Sequence, residues 1–263
     1  MTLFDELAAA LRAEEPVALA TVVSGPGTGA KLLVRPGTAT VGSLGDDDLD
    51  RVVARDTVAE LDAGRSGVRH YGPHGEARQD EVTVFVETFA PPPRMLIFGA
   101  VDFTAALVRV AKVLGYRVTV CDAREVFATR RRFPMADEVL VSWPMPLFVQ
   151  RGHDLGQRDA VCILTHDPKF DVPAVMGAVE TRVGYIGVMG SRKTHAKRME
   201  RLAEAGLTDV EQIDRLMSPI GLDIGARTPE ETAISICAEI IARRTGRSTP
   251  SLRDGSGAIH SAS

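Results

Sequence analysis

Four stretches of this chain carry side chains suited to holding an anion or moving a proton. In Phe98-Gly99-Ala100-Val101-Asp102-Phe103-Thr104, a glycine follows an apolar run and precedes a helical pattern. A dinucleotide turn uses one glycine for the tight bend, a second where backbone meets pyrophosphate and a third for helix–strand packing. Gly99 fills the first position, while Val101 and Thr104 hold the other two. Asp122 closes the next apolar run, at the strand end where an acid would accept hydrogen bonds from ribose hydroxyls. The bulk of Val101 and the charge of Asp102 stand where phosphate should approach. The fingerprint therefore points to a fold more firmly than to a ligand, and a scaffold without a dinucleotide stays open beside it.

The second stretch, Gly187-Val188-Met189-Gly190-Ser191-Arg192-Lys193-Thr194, follows an apolar strand and opens a helix. Backbone amides, the helix dipole and Arg192 would together hold a phosphate there; an ordinary Ser cap with solvated basic residues is the plainer alternative. In the third, Thr165-His166-Asp167 ends another apolar run. His166 would donate a proton or bond a ligand phosphate, or merely satisfy backbone groups. The fourth runs from Ser218 through Pro219, Gly221 and Gly225 to Arg227. This glycine-rich loop leads into Thr228-Pro229-Glu230-Glu231, a capping box with proline at the first helical position. It would lie over a sheet edge or simply connect two elements.

These stretches need a scaffold, and the pattern changes at Ala90-Pro91-Pro92-Pro93-Arg94, where a proline run can continue neither helix nor ladder. We place a linker at 90–94, between an N-terminal domain at 1–89 and a second domain at 95–246. The first part reads as a helix at 3–13, strands at 17–23, 31–34 and 38–44, a helix at 46–61, then strands at 68–71 and 82–89. That is a small α+β domain with a mostly antiparallel sheet. Beyond the prolines, apolar strands at 95–98, 117–121, 138–141, 160–164 and 183–188 alternate with helices at 103–114, 172–180 and 193–205. Buried strands separated by helices predict an α/β, Rossmann-like, doubly wound parallel sheet. Residues 247–263, rich in Ser, Gly and Thr, predict a disordered tail. Trp143-Pro144-Met145-Pro146 reads as a buried turn, and Arg130-Arg131-Arg132 as a solvated face.

Composition narrows the function. The chain has 263 residues, 44% of them hydrophobic and 25% charged, with a net charge of −4. That charge offers no general attraction to nucleic acid or anionic lipid, and no apolar run is long enough to span a bilayer. The N-terminus is acidic and amphipathic, unlike a signal peptide, so a cytoplasmic protein is expected. Cys121, Cys162 and Cys237 are widely spaced and read as buried structural thiols. No Ser–His–Asp elbow, paired-carboxylate motif or metal spacing is present, so no catalytic residue is assigned.

In order, the segments MLIFGA, VTVCDAR, RFPMADEVLVSWP, ILTHDPKFDVPAV, YIGVMGSRKTHAKRMERLAEAGL and SPIGLDIGARTPEETAISICAEIIA resemble the XdhC/CoxI family, along nearly the whole chain. The resemblance implies an accessory protein that binds molybdenum cofactor, as molybdopterin or its cytosine dinucleotide. It would assist insertion into the apoenzyme of a molybdenum hydroxylase such as xanthine dehydrogenase. It admits a homodimer and implies a cofactor chaperone more than a catalyst. Family positions that match are Gly99, Asp122, Arg124, His166, Gly187, Gly190, Ser191, Arg192, Pro219 and Gly221; Ala100 belongs to the same turn. Three positions depart. Val101-Asp102 replaces glycine–histidine, Met145 stands where histidine is common, and Gly45-Asp46-Asp47-Asp48 replaces a glycine triplet followed by cysteine. These losses imply altered or absent ligand binding. A nicotinamide (NAD(P))-dependent oxidoreductase and a scaffold that binds no ligand are the alternatives.

Overall fold

A computed structural model describes residues 2–77 and 79–249. The chain divides into two compact units, the first ending at Pro91 and the second beginning at Pro92.

The first unit comprises α1 (Leu3–Arg12), β1 (Val17–Ser24), β2 (Lys31–Val34), β3 (Val41–Ser43), α2 (Asp47–Ala63), β4 (Gly67–Tyr71) and β5 (Val82–Phe89). Its strands form one antiparallel sheet in the order β3-β2-β1-β5-β4. Period-two alternation sorts the side chains between two faces. Val17 and Leu33 pack with Ala10 of α1, whereas Ala20, Val22, Leu32 and Val34 pack with Leu49 and Val53 of α2. Asp46 starts α2 by accepting from the amides of Asp48 and Leu49, and its other oxygen meets His74 Nδ1 at 2.8 Å. The acidic run at 46–48 is thus a helix start whose charge suits the dipole. The expected strand at 38–44 shrinks to three residues, since Pro36-Gly37 and the turn after them cannot pair.

In the second unit, β6 (Arg94–Phe98), α3 (Asp102–Val113), β7 (Arg117–Asp122), β8 (Glu138–Val141), α4 (Pro144–Arg151), β9 (Ala160–Ile163) and α5 (Pro168–Val179) come first. Then follow β10 (Tyr185–Val188), α6 (Arg192–Glu204), α7 (Val210–Asp214), β11 (Leu216–Met217) and α8 (Pro229–Thr245). All six strands are parallel, in the order β11-β10-β9-β6-β7-β8. Counted within this unit the order is 6-5-4-1-2-3, the doubly wound arrangement of a Rossmann fold, whose switch point lies between β6 and β9. Helices cover both faces. Met95, Ile97, Val118, Val120 and Cys162 pack toward α3 and α8, while Leu96, Phe98, Cys121, Val161 and Ile163 pack toward α4, α5 and α6. Burial on both sides is why these strands read as continuous apolar runs.

Several expectations need correction. Trp143–Pro146 is no buried turn: Pro144 opens α4, and Trp143, 52% exposed, sits just before it. Proline is accepted there because the first helical amide has no intrahelical partner. Helix α5 begins at Pro168, not 172, with Asp167 accepting from the Lys169 amide. Arg94 is the first residue of β6 and not part of a spacer. Arg130 and Arg131 are exposed, as a solvated face requires, but Arg130 also bonds the Ala136 carbonyl, and half-buried Arg132 bonds that of Ala100. The three cysteines are free and buried. Of the expected tail, 247–249 form no helix or strand and 250–263 lie outside the described residues.

Candidate functional site

The carboxyl ends of β6, β7, β9 and β10 lie side by side, so the turns that follow them line one edge of the sheet. After β6, Gly99 has φ +110°, a left-handed conformation that glycine takes without strain. A Cβ there would also stand 3.1 Å from the amide nitrogen of Thr165, across the switch point. Gly99 is therefore required twice, by its own backbone and by the neighbouring strand end. The Gly99 amide donates to the Cys121 carbonyl at 2.9 Å. Val101 precedes α3 and offers no side-chain cap. Buried Thr104 takes over: its hydroxyl donates to the Gly99 carbonyl and accepts from the Val101 amide at 3.4 Å. A hydroxyl braces the turn where a dinucleotide fold would use a third glycine.

Asp122, at the end of β7, is 3% exposed and fully engaged by its own chain. One oxygen accepts from the Arg124 amide and Nε, each at 2.9 Å. The other accepts from the Ala100 amide and Arg124 Nη2, each at 2.8 Å. A carboxylate has about four acceptor sites, and here four donors fill them. Burial pushes the Asp122 carboxyl up most, yet the Arg124 fork and the amides of Ala100 and Arg124 outweigh it and hold it below the usual range. The expected acceptor of ribose hydroxyls is thus already occupied. Arg124 itself has a half-exposed side chain, with its guanidinium 4.5 Å from the centre of the Phe127 ring. Arg132 approaches the same ring at 5.5 Å and stands 3.4 Å from Asp102.

At the end of β9, Thr165 is buried and His166 exposed. At the end of β10, Gly190 (φ +148°) leads to Ser191, whose hydroxyl oxygen accepts from the Thr194 amide at 3.1 Å. Arg192 and Lys193 are exposed in the first turn of α6 and make no ion pair among the described residues. Beneath this turn lies a pair that the sequence did not disclose. Arg198 is 1% exposed and bonds Asp171 at 3.1 Å, the Met189 carbonyl at 2.8 Å and Ser218 at 3.3 Å. Within RKTHAKRMER, Arg198 looks like any other cation on a solvated helix, so no local signal marks it.

Gly187 and Gly221 serve packing. A Cβ on Gly187 would come within 2.4 Å of Ile220, and one on Gly221 within 2.5 Å of Ser235 Oγ. The Gly221 amide donates to Glu239, which also accepts from the Tyr185 hydroxyl, so the glycine-rich loop is pinned onto α8. Gly99, Ala100, Asp122 and Arg124 are thus joined in one bonded cluster that touches Thr165, while Gly190, Ser191 and Arg192 form a second turn two strands away. A cleft of about 470 Å³ between α4 and the end of α5 includes none of these residues.

No three metal-ligating side chains converge among the described residues. Burial pushes the Cys121 and Cys237 thiols up to about 12 and holds the Cys162 thiol well above its ordinary value, so burial disfavours the thiolate at all three. No described helix is long and apolar enough to cross a membrane. The site can present cations and helix-start amides to a phosphate-bearing molecule.

Strand order and strand-end turns define the second unit as a Rossmann-type domain. Residues 95–240 match the XdhC Rossmann domain, and residues 10–72 match the XdhC and CoxI family. The chain belongs to the XdhC/CoxI family. It is 32% identical over 166 residues to a probable xanthine dehydrogenase subunit of Bacillus subtilis, covering 63% of this chain and 47% of that protein. It is 28% identical over 253 residues to the uncharacterized protein YqeB of Escherichia coli, covering 92% of this chain and 46% of that one. The molybdenum cofactor insertion chaperone PaoD of Escherichia coli is 33% identical over 85 residues, 32% of this chain and 26% of PaoD. The chain therefore spans less than half the length of these curated relatives. A crystal structure described as a xanthine dehydrogenase from Bacillus halodurans shares the fold at 21% identity and TM-score 0.53, over 95% of this chain and 98% of that one.

Proposed function

We propose that this chain is an accessory protein of a molybdenum hydroxylase of the xanthine dehydrogenase type, and that it holds molybdenum cofactor during insertion into the apoenzyme. The family match over residues 95–240 carries the reading, and the names of two relatives support it. The donor set fits the phosphate-bearing part of the cofactor, and no three metal-ligating side chains converge among the described residues. Arg124, His166, Ser191 and Arg192 would meet the ligand, with Gly99, Ala100, Gly187, Gly190 and Gly221 shaping the turns and Asp122 fixing Arg124. When bound, the cofactor brings the redox metal that the client enzyme uses; this chain contributes charge, shape and shelter. A nicotinamide-dependent oxidoreductase draws less support, because Asp122 is filled from within and Val101 takes a glycine's place.

Anaerobic titration of the chain with molybdenum cofactor should give saturable binding, and the loaded chain should speed reconstitution of a xanthine dehydrogenase apoenzyme. The absence of both binding and faster reconstitution would overturn the role.

A further inference from the structure

Arg124 is unusual in how thoroughly it is held. Nε and one Nη2 hydrogen are committed to Asp122, and the guanidinium carbon sits 4.5 Å over the Phe127 ring. A guanidinium has five N–H donors, so three remain. Its side chain is 56% exposed, and it meets no acceptor besides Asp122 among the described residues. The Asp167 carboxylate is close enough to be felt by Arg124, but its Oδ1 accepts from the Lys169 amide. A fork fixed along one edge and free along the other is preorganised for an anion. In a dinucleotide fold, the group beyond the second strand decides whether a free ribose diol or a ribose phosphate is accepted. Here the acid has no capacity left for a diol.

We propose that Arg124 makes this crevice selective for a ligand carrying a phosphate monoester, with Asp122 as its positioning residue. The monoester belongs either to a nucleotide's ribose or to a pterin side chain, and this inference rests on the accessory reading only for the second source. A ligand offering only hydroxyls at that place finds the Asp122 carboxylate already filled.

Calorimetry on the full chain at low salt, with two pairs of probes, tests this. NADP⁺ and NAD⁺ differ by one ribose phosphate; 6-hydroxymethylpterin phosphate and 6-hydroxymethylpterin differ by one side-chain phosphate. The phosphorylated member of at least one pair should bind about tenfold tighter or more, because bonds between charged partners are the strong ones. Whichever pair shows the advantage identifies the source. Arg124→Gln should erase that advantage by weakening the phosphorylated probe at least about tenfold more than its unphosphorylated partner, and Asp122→Asn should reduce it by loosening the fork. Should Arg124→Gln fail to fold, Arg124→Lys, which keeps charge but not the fork, should reduce the advantage at least about threefold. No advantage in either pair overturns the assignment, as does an advantage that a folded Arg124 variant retains in full. Phosphate selectivity without any effect on apoenzyme reconstitution would sink the accessory role and leave this assignment standing. Reconstitution without selectivity would do the reverse.

Discussion

At the scale of single residues, the buried acids Asp122 and Asp171 are spent on the chain's own amides and arginines. Asp122 shows what that does to stability. Its carboxyl lies below the usual range when folded, so its contribution is fully present above about pH 4, the unfolded value, and is lost as pH falls through the folded value. Asp122→Asn should therefore lower unfolding free energy at pH 7 by about 2 kcal/mol, a figure reduced because Arg124 is half exposed. The gap from the unmodified chain should narrow below pH 4, as read by urea denaturation; an equal gap at pH 7 and pH 3 would refute the linkage. Arg198 and Asp171 are a different case, since both are almost wholly buried. Arg198→Met leaves a carboxylate stranded and should cost about 3–5 kcal/mol. Adding Asp171→Leu should recover much of that loss, because the double variant no longer buries an unpaired charge. A double variant as unstable as the single one would contradict this account.

At the scale of elements, the sequence discloses what depends on periodicity and hides what depends on neighbours. The strands of the second unit were legible because burial on both faces leaves an unbroken apolar run. The start of α8 was legible because Thr228-Pro229-Glu230-Glu231 is read locally, and the structure has that capping box. Helix α4 was not, because two prolines in four residues look like a turn until one of them is seen at the first helical position. The short β11 and α7 were missed because two and five residues carry no period. In the crevice, Gly99 and the Ser191 cap were visible as turn chemistry. The four bonds on Asp122 were not, since they join residues 22 apart as well as two apart. Packing can also reverse local preference. Gly177 lies inside α5, where alanine would ordinarily favour the helix by about 1 kcal/mol. A Cβ there would fall 2.2 Å from the Phe148 ring of α4, so Gly177→Ala should destabilise by about 1–3 kcal/mol by overpacking. A rise in melting temperature would show that α4 yields more easily than this.

At the scale of the molecule, each unit has its own sheet and its own buried clusters. Residues 92–249 expressed alone should therefore unfold in one cooperative transition in guanidinium chloride. A broad, non-cooperative loss of signal would refute that autonomy. The three cysteines add something else. All belong to the second unit, one on each of β7, β9 and α8, and none is reachable by solvent in the folded state. The first unit has none. Alkylating reagents therefore find the native chain inert, and each labelling event records a moment when that particular segment has come open. Without any engineered probe, the rates at Cys121, Cys162 and Cys237 form a three-channel clock for the breathing of one half of the protein while the other half stays silent.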